Sequence, residues 1–336
     1  MQRRKPRGSE LTALVEVYHR SDHCGRLALA EERGVTPGTL CNWMSQETRP
    51  QPPSYQRTKS ATWEEHLEVF KAMDRLTAFH QKVPQEITVT VKTDLPIAVT
   101  SRCDWHLGEF GVDYEAFERD TELICSEPGL YAFEGGDKTS NIIQPSKIGS
   151  SHNQIPICNQ RALAILTLER EAESILVVGT GNHDWWSTLL TGEDWEGEEL
   201  RKLKLVYTKH GGIVHLRVGD MLYPWLRLHK GRFRSSFNLT HSCKQYQRLY
   251  FPEARIVTIE HDHVGAIEQY QYDGVECVAI RPGTYSVYSD FAQQNGFFGA
   301  HVCCPTVVLF PHEDRLVGFK SMWDAVVFLR AVRATA

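Results

Sequence analysis

The sequence predicts an α/β fold preceded by a small all-α domain, and three observations carry that expectation. From Ile87 onward, short β-branched runs alternate with helical stretches. Before that, residues 9–46 place their apolar side chains at helical spacing. Between them runs the Pro-rich polar stretch Glu47-Thr48-Arg49-Pro50-Gln51-Pro52-Pro53 and beyond, which has the composition of a linker. The expected boundaries are 1–47 for the helical domain, 48–84 for linker and bracing helix, and 85–336 for the α/β body.

A chain of 336 residues with 41% apolar and 24% charged residues has enough material for a sizeable core. The net charge of −5 excludes a global basic bias towards nucleic acid. The charge is uneven, though: residues 1–60 hold ten Lys/Arg against six Asp/Glu, and the remainder holds 27 against 36. A basic front end on an acidic body hints at a nucleic-acid contact near the N-terminus. The nine cysteines are odd in number and contain no Cys-x-x-Cys, as expected of reduced thiols in a cytoplasmic protein. No apolar run approaches the roughly 18–20 residues of a membrane span. Arg3, Arg4, Lys5 and Arg7 lead into a polar amphipathic segment rather than a signal-peptide core.

Three short helices are expected in residues 9–46. Leu11, Leu14, Val15 and Tyr18 mark the first; Leu27 to Arg33 form the second, stopping at Gly34. Thr36 reads as the N-cap of the third, with Pro37 at its first position and Leu40, Trp43 and Met44 along it. The run Ala30 to Thr36, with Leu40 and Trp43 behind it, resembles the homeodomain-like helix-turn-helix of transposases and small DNA-binding modules. That resemblance implies that Val35, Leu40 and Trp43 pack inward while Thr39, Asn42 and Gln46 face a DNA major groove. A helical bundle for protein contacts is the alternative. Residues 63–82 read as one more amphipathic helix, with Trp63, Leu67, Phe70, Met73 and Leu76 on one face, serving as brace or spacer.

The body reads as strands at Ile87–Val91, Ile97–Thr100, Leu130–Phe133 and 175–178, with a helix over 159–173 before the last. A hairpin follows over Ile213–Val218 and Met221–Leu228 around Gly219-Asp220, then strands at Arg255–Ile259, Gly265–Tyr272, Val275–Arg281, 306–310 and 315–320. Five of these runs end in groups that bind metals. Asp104 and His106 follow the second strand, Asp137 the third, and Asn182, His183 and Asp184 the run Ile175-Leu176-Val177-Val178-Gly179-Thr180-Gly181. His229 ends the hairpin, and His261 and His263 follow Val257-Thr258-Ile259. Ligand sites gather at the carboxyl ends of strands in α/β sheets.

Carboxylate and imidazole ligands suit divalent metals, and a catalytic site keeps positions open for water and substrate. Alternate side chains of a strand share a face, so Asp104 and His106 are expected to reach one ion, as are His261 and His263. One carboxylate can bridge two ions about 3.5–4 Å apart, the spacing used in phosphoryl chemistry. Singly, these motifs are weak: cupins also use His-x-His, and a lone His is more often a satisfied core or surface residue. A Gly-x-Gly-x-x-Gly dinucleotide fingerprint at Gly179 is excluded, because Asp184 stands where its last glycine is required.

In sequence order, Asp-x-His, Gly-Asp, Gly-Asn-His-Asp, His before Gly, and His-x-His resemble the calcineurin-like metallophosphoesterases over residues 95–320. The resemblance implies a two-sheet sandwich flanked by helices and two divalent ions, Mn²⁺ foremost, with Fe or Zn²⁺ as alternatives. It places one ion on Asp104, His106, Asp137 and His263, the other on Asp137, Asn182, His229 and His261, with Asp137 bridging. It further implies in-line attack on phosphorus by a bridging hydroxide, with His183 as general acid; Asp184, next to it, is a second catalytic candidate. Lys230, Arg232 and Arg234 are expected to hold flanking phosphates, or else to form a solvated basic loop. Trp185 and Trp186 either stack on a base or pack beneath the site loop.

Three departures stand out. Glu260 occupies a position where many members of that family have Gly, and Ser140 stands where the protein-phosphatase branch has an Asp that orients the acid histidine, leaving Asn141 or Asp184 as substitutes. Residues 138–158 form a long polar insert with His152. The favoured expectation is phosphodiester hydrolysis on DNA. The alternatives are a phosphatase or phosphodiesterase acting on a non-nucleic-acid substrate, and a DNA-binding assembly protein with a non-catalytic metal site.

Overall fold

The middle of one sheet is strand Ile97–Arg102, buried along its whole length, and the candidate ligands begin two residues beyond its end. The structure, a computed structural model, describes residues 5–47, 62–81, 86–143, 155–235, 237–288 and 298–335. The chain divides into two compact units, Met1–His80 and Gln81–Ala336.

The front unit contains α1 (Ser9–Arg20), α2 (His23–Glu32) and α3 (Pro37–Glu47). Leu11, Leu14, Ala30, Leu40 and Met44 form its core, with Val35 and Trp43 packed against them. Helix α2 starts four residues before the expected Leu27, because Asp22 caps it by accepting from the Gly25 N–H at 2.8 Å. Thr36 caps α3 through the Thr39 N–H at 3.1 Å, and its hydroxyl lies 2.8 Å from that of Thr39. Thr39 therefore spends its hydroxyl on the cap, while Asn42 is exposed. The Gln46 side chain and the linker residues 48–61 lie outside the described residues. Helix α4 (Trp63–Gln81) opens on a reciprocal cap between Thr62 and Glu65, and its Trp63, Phe70 and Met73 are exposed.

In the second unit the order is β1 (Glu86–Val91), β2 (Ile97–Arg102), α5 (Tyr114–Ser126), β3 (Leu130–Glu134), α6 (Ile157–Arg170), β4 (Ile175–Val178), α7 (Asn182–Thr191) and α8 (Trp195–Lys202). Then come β5 (Gly211–Val218), β6 (Met221–Leu228), α9 (His241–Tyr250), β7 (Ile256–Ile259), β8 (Ala266–Tyr272), β9 (Val275–Arg281), β10 (Thr306–Leu309), β11 (Leu316–Phe319) and α10 (Met322–Arg333). The strands form two sheets, in the orders β1-β5-β6-β7-β9-β8 and β11-β10-β2-β3-β4. Val99, Phe133, Val177, Val214, Leu216, Trp225, Ile256 and Leu309 fill the space between them. On the outer face of the five-stranded sheet, Ala98, Leu130 and Ala132 pack against Phe117, Leu168 and Leu329 of α5, α6 and α10. Leu226, Val257 and Ala279 of the other sheet pack against Cys243 of α9. The result is a two-sheet α/β sandwich flanked by helices, the expected class.

The parallel strands β2, β3 and β4 end at one edge, and the parallel pair β6 and β7 ends in the other sheet. The expected strands are present, with ends shifted by a residue or two. Helices α5, α7, α8, α9 and α10 add to the single helix expected in the body. Trp185 and Trp186 sit on α7. The insert also needs correction. Residues 138–142 are buried under the strand ends, with Lys138 Nζ 2.5 Å from Glu196 Oε1 and 2.5 Å from the Gly179 carbonyl. Residues 144–154, including His152, lie outside the described residues. No helix among the described residues is long and apolar enough to cross a membrane.

Candidate metal centre

Five strand ends converge on one place. Asp104, His106 and His263 form one group, and Asp137, His229 and His261 another, each with ligand atoms within 4.8 Å of one another. His106 Nε2 lies 3.1 Å from His263 Nε2, and His263 Nε2 lies 3.3 Å from Asp104 Oδ1. In the second group, His229 Nε2 is 3.1 Å from Asp137 Oδ2 and 3.2 Å from Asn182 Oδ1, and His261 Nδ1 is 3.9 Å from Asp137 Oδ2. His106, Asp137 and His183 make a third such group linking the two.

The local backbone differs from the expected strand alternation. Asp104, His106, Asp137, His261 and His263 all lie past the strand ends with positive φ, between 48° and 78°. Left-handed backbone is unfavourable for residues with a Cβ and collects at functional sites. The His106 N–H donates to the Asp137 carbonyl at 3.0 Å, and the His261 N–H to Asp104 Oδ2 at 3.2 Å, so the loops hold one another in this conformation. Two glycines let the β3 and β4 loops touch. A Cβ on Gly136 would lie 2.3 Å from the Gly181 nitrogen, and one on Gly181 would lie 2.0 Å from Asp137 Oδ1.

The donor set fits cations. Asp104 Oδ1, Asp137 Oδ2 and His261 Nδ1 are buried, and the side chains near them are those of their own ligand groups, with no well-formed hydrogen bond to any other described residue. Buried polar atoms are otherwise satisfied, so such atoms within these ligand groups are suited to a metal. Burial raises both aspartates, but His106 and His263 hold Asp104, and His229 and His183 hold Asp137, well below the usual carboxylate range. Burial opposes the charged form of His106, yet Asp104, Glu109 and Asp137 push it up to about 9.

His183 is in the first turn of α7, and its N–H donates to Asp137 Oδ1 at 2.7 Å. Its Nδ1 lies 2.6 Å from the Ser140 carbonyl, and its ring packs 4.0 Å from that of Trp186. The orienting group is thus a backbone carbonyl, and neither Asp184 nor the Asn141 side chain takes that role. Asp184 was expected to assist catalysis and does not reach the centre. Its oxygens accept from the Lys138 and Thr139 N–H groups, both at 3.1 Å, and from the Thr139 hydroxyl at 2.9 Å. It is a positioning residue for the loop that carries Asp137. Burial pushes His183 down to about 4.

Of the three expected phosphate binders, Lys230 lines a cleft of about 400 Å³ beside Asn182 and His229. Arg232 donates to the Tyr250 hydroxyl at 3.2 Å. Arg234 is exposed and lies 3.7 Å from Asp262, which pairs more closely with Arg281. Sequence reasoning missed Arg227 and noted Glu260 only as a departure from the family's Gly. The two form a buried pair under the centre, and the available signal was a charged residue inside the apolar run Leu226-Arg227-Leu228.

No protein-family model matches the sequence, and neither does any curated protein. Solved structures do. A conserved protein described as a predicted phosphoesterase from Streptococcus pneumoniae is 14% identical, with 65% of this chain and 85% of that chain covered and a TM-score of 0.33. A metallophosphoesterase from Sphaerobacter thermophilus is 14% identical, with 71% and 96% covered and a TM-score of 0.34. Vps29 complexed with zinc from Entamoeba histolytica is 10% identical, with 66% and 97% covered and a TM-score of 0.31. At such identities the functional conclusion rests on the residues of this chain.

Proposed function

We propose that this protein is a dinuclear metal-dependent phosphoesterase of the calcineurin-like kind, hydrolysing phosphodiester bonds, with DNA as the favoured substrate. The observation that carries this is the meeting of Asp104, His106 and His263 with Asp137, His229 and His261 at strand ends, beside unsatisfied carboxylate oxygens. Asn182 completes the second group through its Oδ1. Mixed imidazole and carboxylate donors suit Mn²⁺, Fe or Zn²⁺. Two such ions, when bound, would activate water and neutralise charge on the phosphoryl oxygens.

The chain's own residues supply the rest. Asp137 faces both ligand groups and ties them together. The Nδ1–H of His183 donates to the Ser140 carbonyl, which leaves Nε2 to exchange a proton with the leaving oxygen. An anionic ester beside it opposes the effect of burial and favours the proton on Nε2. Lys230, which shares a cleft with Asn182 and His229, and Arg232, two residues on, would meet flanking phosphates. The front unit would bring DNA to the body, with exposed Asn42 on α3 as a contact. The excess of Lys and Arg over Asp and Glu in residues 1–60 supports that role, and nine free cysteines fit a reducing compartment such as the cytoplasm.

The test is a metal panel on the purified full chain with a bis-aryl phosphate, plasmid DNA and oligonucleotides. Mn²⁺-stimulated cleavage of the ester and of DNA is expected, with loss of both in Asp137→Asn. Stoichiometric metal binding without turnover of any of them would overturn the enzyme assignment. Ester cleavage without DNA cleavage would overturn the DNA part alone.

A further inference from the structure

The loop after His229 and one face of α9 carry features that a metal centre alone does not require. Two series run outward from the cleft beside the centre. Lys230 lines that cleft, and Arg232 follows it two residues on, exposed. Phe251 also lines the cleft, and Tyr250 and Tyr246 precede it on α9. Phe233, the residue after Arg232, joins the two series. Its ring lies 5.2 Å from Tyr246, and 6.4 Å from Tyr250 with the planes only 23° apart. The Arg232 guanidinium donates to the Tyr250 hydroxyl at 3.2 Å, and the Arg232 N–H to the Tyr246 hydroxyl at 3.3 Å. Tyr250 is nevertheless 50% exposed. Among the described residues, no carboxylate lies within ion-pair distance of Lys230 or Arg232.

Cations spaced along a surface follow a phosphate backbone, and exposed aromatic rings beside them stack on bases. Bases offer their faces only when unpaired, so this combination selects a single strand over a duplex. An apolar protein partner would leave Lys230 and Arg232 without counter-charge at the contact. We propose that a single nucleic-acid strand lies along this track. Its phosphates meet Lys230 and Arg232, and its bases pack against Phe251, Tyr250 and Phe233 as it leads into the centre. This rests on the phosphoesterase reading only for the direction of the strand towards the metals.

Binding can be measured on the full chain carrying His183→Ala, so that a bound strand is not cut, with Mn²⁺ and a fluorescein-labelled oligodeoxythymidylate. In that background Tyr250→Ala is expected to weaken binding about tenfold, and Tyr250→Phe, which keeps the ring, to restore most of it. Arg232→Ala should reduce the slope of log affinity against log salt by about 0.7. Unchanged affinity and salt slope in Tyr250→Ala and Arg232→Ala would overturn the proposal, because the strand would then be held elsewhere, as on the front unit. Wild-type turnover of a bis-aryl phosphate, measured separately, tests the phosphoesterase reading. Turnover with unmoved affinities sinks the track alone, and absent turnover with the predicted loss of affinity leaves the track standing.

Discussion

His229 places its Nδ1 3.1 Å from the Glu260 carboxylate, and Glu260 in turn meets Arg227 at 2.7 and 2.8 Å. A histidine that donates through Nδ1 to a carboxylate presents Nε2 with its ring orientation set, and Nε2 is the atom facing Asp137 and Asn182. Glu260 also accepts the Gly136 N–H at 2.9 Å, beside Asp137. Burial raises this carboxyl, but Arg227 and His229 outweigh burial and hold it below its usual range. The pair needs room: a Cβ on Gly179 would fall 1.6 Å from the Arg227 guanidinium, and one on Gly135 would fall 2.7 Å from the Glu260 carboxyl.

Glu260→Gln is therefore expected to weaken one of two metal-binding events by about 10–100-fold, read by titration calorimetry. Glu260→Ala should in addition cost about 3–5 kcal/mol in denaturant unfolding, because Arg227 is left buried and uncompensated. Metal affinities equal to wild type in Glu260→Gln would show that His229 needs no such support.

Gly181→Ala tests the loop contact at Asp137. Its Cβ would overlap Asp137 Oδ1, so the β3 and β4 loops must separate. Expected outcomes are a loss of about 1–3 kcal/mol in thermal or denaturant unfolding and loss of metal binding near Asp137. Retention of both by the variant would mean that the loops tolerate more space than their contact implies.

His183→Ala and Asp184→Ala should separate chemistry from scaffolding. The first removes a side chain facing the centre and is expected to lower kcat for a bis-aryl phosphate about 10²–10⁴-fold with little change in stability. The second strips acceptors from the Lys138 and Thr139 N–H groups and should lower stability by about 1–3 kcal/mol. Equal stability losses in the two variants would remove the distinction drawn here between them.

A pH dependence is expected from a buried ion cluster outside the ligand groups. Arg102 is buried between Glu134 and Glu171, so one guanidinium faces two carboxylates. Burial, with Glu134 adding to it, pushes Glu171 up from 4.5 to about 7 despite Arg102. The native chain therefore binds a proton that the unfolded chain has released between about pH 4.5 and 7, and stability falls as pH rises through that window. Glu171→Gln keeps an acceptor for Arg102 without the charge. It should flatten the dependence and be more stable than wild type at pH 8 by about 1–3 kcal/mol. Parallel pH profiles for the two proteins would contradict this account.

The strands were legible because their cause is local. Ile213–Val218 and Met221–Leu228 flank Gly219-Asp220, a two-residue turn, and they form the hairpin expected there. Helix α9 was not legible: His241–Tyr250 is mostly polar, and its partner for burial, the face of β7 and β9, lies elsewhere in the sequence. Helix α7 was hidden because its first residues, Asn182 to Asp184, look like ligands before they look like a helix start. The metal-type residues stood out because Asp, Asn and His at the ends of apolar runs have no packing reason to be there. Their local geometry was misjudged, since strand alternation does not describe the left-handed loops they occupy.

By itself the sequence determined the α/β class, most strand positions and the chemical character of the strand ends, all of which follow from side-chain periodicity and type. The tertiary structure alone decided that Arg227 faces Glu260, that Glu260 faces His229, and that Ser140 rather than Asp184 meets the His183 ring. Those pairings join residues 33, 31 and 43 positions apart. Hydrogen bonds and buried charges are satisfied by whatever lies nearest in space, and nearness across a folded sandwich is not written in the order of the chain.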